Sequence, residues 1–136
     1  MDNRRVDVAA TGRAGLWTGR VMTALVGLMF SFSAVMKFVG GEPVVQAMTH
    51  LGLSESMIVP LGILELACVV AYLVPATSVI GAILLTGYTG GVILTHWRVG
   101  DPFIVPIVLG LAIWGGLWLR DARLKDLMPL RKSPAP

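Results

Sequence analysis

Four apolar blocks dominate the chain, at residues 16–37, 57–74, 78–97 and 103–119. Each is close to the ~20 residues that cross a bilayer as a helix. Backbone amides in lipid have no water to bond, so blocks of this length predict helices and not strands. Polar positions punctuate the pattern. Gly40-Gly41 breaks the first block, and the stretch that follows carries a helix-start signal in Pro43 and a stop signal in Gly52. Val44, Val45, Met48 and Leu51 fall on one side of that stretch, which predicts a short helix lying in the membrane interface. Asp101-Pro102 is expected to open the fourth helix, with Asp101 as N-cap and Pro102 in the first turn. Gly27 and Ser31 form a small-residue face on the first span, and Gly87-x-x-x-Gly91 forms another on the third. The expected fold is all-α: an integral membrane four-helix bundle with a short interfacial helix between the first and second spans.

Composition narrows the class. Of 136 residues, 55% are hydrophobic and 14% charged, against about 25% charged in soluble domains. The net charge of +3 does not point to nucleic acid, because of where the basic residues lie. Arg4, Arg5, Arg13 and Arg20 stand at the start of the chain, and Arg120, Arg123, Lys125, Arg131 and Lys132 follow the last block. Only Lys37 and Arg98 lie between. By the positive-inside rule both termini are expected on the cytoplasmic side. Residues 1–15 are expected to be a disordered cytoplasmic segment, 16–120 the membrane domain, and 121–136 a basic tail on anionic lipid. A secretory signal peptide cut after Ala34 is the competing reading of the first block. That block is longer than a signal core, and three more spans follow. Cys68 is the single cysteine, which leaves no internal disulfide or cysteine metal pair and predicts a small packing residue.

Glu65 is the one ionisable group in the second block before Tyr72. A charge at mid-span costs roughly 2.5–3.5 kcal/mol on insertion scales, so it needs a partner, a proton or a wet cavity. Gly62 and Cys68 lie one turn to either side of it and Tyr72 two turns on, a stripe expected to face the bundle interior. By the predicted topology Lys37, His96, Arg98 and Asp101 gather at the outer mouth, and Glu65 lies roughly 10–12 Å below it. Each has a plainer reading: snorkelling for Lys37, an interface position for His96, a lipid-phosphate contact for Arg98 and helix capping for Asp101. Glu65 is too short to snorkel from that depth. It is either half of a structural ion pair, with Lys37 or His96, or a carboxylate that handles protons.

The segments Phe32-Ser-Ala-Val-Met-Lys-Phe38, Gly62-Ile-Leu-Glu-Leu-Ala67 and Thr95-His-Trp-Arg-Val-Gly-Asp-Pro102 resemble those of the DoxX-like family of small four-span bacterial membrane proteins. Carried over by position, the family's Lys, Glu and His fall on Lys37, Glu65 and His96, with Ser33-Ala34 where relatives carry a small-Gly pair. The resemblance implies the four-helix fold, a place in a bacterial inner membrane and an association with quinone-linked membrane redox systems. On that reading Glu65 carries protons and His96 bonds a quinone oxygen, with Ser33, Arg98, Asp101 and Tyr72 as further ligand contacts. No haem-ligand pair, Cys-x-x-Cys or dinucleotide loop is present, so no intrinsic cofactor is expected and a redox partner subunit is needed. Two other readings stay open: an assembly scaffold, and an isomerase or epoxide-opening enzyme using Glu65, Lys37 and His96 on a lipophilic small molecule. Self-association is expected, if anywhere, through the Gly87/Gly91 face.

Overall fold

The computed structural model describes residues 12–128 as helices joined by short turns. In chain order they are α1 (Arg13–Val39), α2 (Glu42–His50), α3 (Ile58–Leu73), α4 (Ser78–Val99), α5 (Ile104–Arg120) and α6 (Ala122–Leu127). A 3₁₀ turn at Glu55–Met57 leads into α3. The breaks fall at glycines whose backbone lies where L side chains are strained: Gly40 and Gly41 (φ 68° and 102°) end α1, and Gly100 (φ 79°) ends α4.

Helices α1, α3, α4 and α5 close into a ring in which α1 touches α3 and α5, and α4 touches the same two. Val26, Phe30, Val69, Tyr72, Leu85, Ile113 and Leu117 fill its centre. Outward-facing residues are also apolar: Leu28, Phe32, Leu94 and Leu111 are all more than 60% exposed. A surface of that kind needs a hydrocarbon solvent. Three helical stretches, Arg13–Val39, Glu55–Leu73 and Ser78–Val99, are long and apolar enough to cross a membrane, and the apolar α5 is shorter at 17 residues. The chain is a multi-pass membrane protein.

The two ends of the ring are built differently. At the end carrying α6, small residues bring backbones together. A Cβ on Gly19 would sit 2.8 Å from the Gly116 carbonyl oxygen, and one on Gly81 only 2.1 Å from the Tyr72 nitrogen. The Tyr72 hydroxyl donates to the Ile113 carbonyl across this end (2.9 Å). At the opposite end, beside α2, the four helices enclose a cavity.

Several local expectations are corrected. Asp101 does not cap α5, which begins at Ile104 after Phe103 and has no side-chain cap; its carboxylate is taken by His50 instead. Gly87 and Gly91 make no close packing within the chain, since a Cβ at either meets nothing within 4 Å. Arg13, Ala14 and Gly15 are the first turn of α1 and not part of a disordered leader. The start of the expected tail is folded: Asp121 accepts from the Arg123 amide (3.0 Å), Leu124 is buried, and Trp118 donates to the Met128 carbonyl (3.2 Å). Residues 1–11 and 129–136, with Arg4, Arg5, Arg131 and Lys132, lie outside the described residues.

The glycine contacts make an ordering testable by thermal unfolding in detergent. Gly81→Val drives a side chain into the α3 backbone and is expected to destabilise by at least the ~1–3 kcal/mol of core overpacking. Gly87→Ala, in open space, should stay within about 0.5 kcal/mol of wild type.

Candidate functional site

Ser33 and Lys37 stand one turn apart near the end of α1 and point the same way. Opposite them on α3, Gly62 has no side chain to hold α1 off; a Cβ there would lie 3.1 Å from the Lys37 Cβ and 3.2 Å from the Phe38 ring. This close crossing lets Lys37 reach Glu65, one turn further along α3. Lys37 Nζ donates to Glu65 Oε2 at 2.8 Å and to Ser33 Oγ at 2.8 Å. The Glu65 side chain is 2% exposed and that of Lys37 13%. The pair is therefore buried, and each charge in it has the other as its compensation. Removing one partner from such a pair typically costs about 3–5 kcal/mol, because the remaining charge is left without solvent.

The ion pair lies on the wall of a cavity of about 810 Å³ at the α2 end. The wall draws on α1 (Phe30, Ser33, Lys37), α3 (Leu61, Leu64, Glu65, Cys68), α4 (Gly87, Tyr88, Thr95, His96) and α5 (Val105, Pro106, Leu109). Met48 and Leu51, from α2 and the turn after it, cover the end. The lining is mostly apolar, with Ser33, Lys37, Glu65 and Tyr88 at one level and Thr95 and His96 nearer the α2 end, the usual make-up of a small-molecule site.

Of the residues singled out from the sequence, Ser33, Lys37 and Glu65 come together, and His96 shares the cavity wall without joining them. Its Nδ1 lies 2.9 Å from the Val92 carbonyl, one turn back on α4. A carbonyl oxygen only accepts, so Nδ1 carries the hydrogen, and in the neutral ring Nε2 is left as an acceptor. Arg98, Asp101 and Tyr72 are not in the lining. Arg98 donates to the Leu51 carbonyl, and His50 Nε2 donates to Asp101 Oδ2 at 2.9 Å. Both contacts fasten α2 and its following turn to the α4–α5 connection. Tyr72 is fully buried in the core with Arg120 stacked 5.9 Å over its ring. These three are fasteners and packing residues: Arg98 and Asp101 bond to α2 and the turn after it, and Tyr72 lies seven residues beyond Glu65 on α3, toward the α6 end.

Tyr88 is the residue that sequence reasoning missed. It lines the cavity together with Glu65 and Cys68, and packs edge-on to Phe30 (ring centroids 6.2 Å apart). A signal was present: Gly81, Tyr88 and Thr95 recur every seven residues and so share one face of α4. His96 lies eight residues beyond Tyr88, roughly 12 Å nearer the α2 end.

A ring of lipid-facing helices around an apolar chamber with one buried ion pair defines a class: a small multi-pass membrane protein with a candidate ligand cavity. The profile of the DoxX-like family matches residues 21–116, a stretch containing the pair, Tyr88 and His96, and the chain belongs to that family. No curated protein and no solved structure matches it.

The ion pair can be tested by double substitution. Lys37→Met and Glu65→Leu alone are each expected to lower unfolding stability by about 3–5 kcal/mol, and the double variant to recover most of that loss. Additive losses would mean that the two side chains do not compensate each other.

Proposed function

We propose that this DoxX-like protein spans the membrane four times, holds both termini in the cytoplasm, and binds a lipophilic small molecule as a component of a membrane redox system. A quinone is the first candidate ligand. Arg13, Arg20, Arg120, Arg123 and Lys125 all belong to the α6 end, which supports a cytoplasmic face there and an outward-facing cavity. The single observation that carries the reading is the placement of Glu65, Lys37 and Tyr88 together in the wall of a mostly apolar chamber.

The chemistry follows from hydrogen-bonding roles. Lys37 engages Glu65 Oε2, so the other carboxylate oxygen is the acceptor offered to a ligand hydroxyl, with the Tyr88 hydroxyl beside it to donate or accept. Such a pair binds a quinol through its hydroxyl and can take up the proton released when the quinol is oxidised. The electrons would pass to a partner subunit, since the chain supplies one cysteine and two histidines, one of them occupied by Asp101. His96, about two turns from Tyr88, is too far along α4 to hold the same oxygen. It serves the mouth of the chamber instead.

A scaffold reading has one observation in its favour: the ion pair also stitches α1 to α3. Ligand binding separates the two. Titrating the purified protein in nanodiscs with a short-chain benzoquinone and its quinol should give saturable binding. Tyr88→Phe is expected to weaken binding by about tenfold or more, the loss of one hydrogen bond in a charged network at about 1.5–3 kcal/mol, and Phe32→Leu, on the lipid-facing surface outside the cavity lining, to leave it near wild type. Absence of saturable binding by the folded wild type would leave the scaffold.

A further inference from the structure

The cavity has two directions in which a ligand could leave, and they are built differently. Toward the end of the bundle α2 lies across the opening, with Met48 buried beneath it. The His50–Asp101 contact and the Arg98 bond to the Leu51 carbonyl fasten it from the far side. Sideways, the seam between α3 and α4 is shut at the α6 end by Gly81 against the Tyr72 backbone. Further along, its edges are Leu64 on α3 and Leu84 and Gly87 on α4. All three line the cavity, and yet Leu64 is 51% and Leu84 47% exposed on the lipid-facing surface. Residues that belong to both surfaces mark an opening between them. Gly87 keeps it clear, since a Cβ there meets nothing within 4 Å. The opposite seam, between α1 and α5, is edged by Met29 (50% exposed) and Val105 (62%), which also belong to both surfaces, but there full side chains stand where the α3–α4 seam has only Gly87.

The opening also stands in front of the polar group. Leu64 adjoins Glu65 in sequence and Gly87 adjoins Tyr88, so two of the three edge residues, one on each helix, sit one position from a polar wall residue. The formal charges of Lys37 and Glu65 cancel, and a charged ligand head would bring an unanswered charge into a low-dielectric chamber. We infer that the cavity takes an amphiphile with a compact, uncharged, hydroxyl-bearing head and a hydrocarbon tail. Its head docks at Glu65 and Tyr88, and its tail leaves through the α3–α4 seam past Gly87 into the bilayer. The inference rests on the reading of the cavity as a ligand site and adds the ligand's class and route. Entry is from the lipid phase, and tail length is not limited by the chamber.

Para-cresol and para-dodecylphenol, which share a head and differ in tail, test this by saturable binding to the full-length protein in nanodiscs. Wild type is expected to bind both. Gly87→Leu should leave para-cresol within about twofold and weaken para-dodecylphenol by about tenfold or more, with the unfolding temperature of the unliganded variant unchanged. If that variant does not fold, Leu64→Trp narrows the seam from the α3 side and carries the same expectation. Undiminished binding of the long-tailed phenol by the seam variant overturns the route, as does a wild type that accepts the cresol and refuses the long tail. A Val105→Trp variant that alone blocks the long tail also overturns it, by moving the route to the α1–α5 seam. If wild type binds neither phenol, this inference falls. The benzoquinone titration then decides separately whether the cavity is still a ligand site.

Discussion

The structure depends on one requirement: a carboxylate placed in an apolar span must have its charge answered. Lys37 answers Glu65 at 2.8 Å, and the rest of the local geometry follows from making that contact available. Gly62 must be small so that α1 and α3 approach. Ser33 must follow the helical turn so that the ammonium has a second acceptor. The register between α1 and α3 is then fixed, because sliding either helix by one turn would strand two charges in a medium that does not solvate them. The same pair supplies the strongest polar feature of the chamber, so what holds the helices together also gives the cavity its chemistry.

Why a cavity exists at all is a matter of the opposite end. Gly19, Gly116 and Gly81 bring α1 to α5 and α3 to α4 at near-backbone contact, while further along α4, toward the α2 end, a Cβ on Gly87 or Gly91 meets nothing within 4 Å and both glycines line the cavity. Helices that touch closely at one end and diverge toward the other leave a space, and α2 covers it. Arg98, Asp101 and His50 therefore contribute without touching the chamber: they fasten the cover. A bundle closed tightly at both ends by leucines would be more uniform and would hold nothing.

Much of this was legible in the chain. The apolar blocks gave the helices, Gly40-Gly41 and Pro43 the break and the short helix, and the cost of a lone carboxylate in oil made a partner for Glu65 obligatory, with Lys37 one of two named. What stayed hidden depends on helix rotation and on pairing between helices, neither of which spacing encodes. Tyr72 and Tyr88 look alike in sequence, each on an apolar span, yet one points into the core and the other at Glu65. Gly87-x-x-x-Gly91 has the spacing of a packing motif and meets nothing, whereas Gly19 and Gly116 lie far apart in sequence and meet closely. Asp101 carried a strong local capping signal that lost to a tertiary partner, His50, on a short helix whose docking against Asp101 no local pattern encodes. Leu124 and Asp121 turned part of a basic tail into a short packed helix, a result of burial and capping that net charge alone obscures.

The central claim is that Glu65 is an ionised carboxylate compensated by Lys37 inside the membrane domain. Infrared difference spectroscopy of wild type against Glu65→Gln, in lipid at neutral pH, reads this directly. The account predicts that the substitution removes carboxylate stretching bands with no accompanying loss in the carboxylic-acid carbonyl region, and that Lys37→Met moves the Glu65 signal into that region. A protonated-acid band for Glu65 already present in the wild type, unchanged by Lys37→Met, would contradict it.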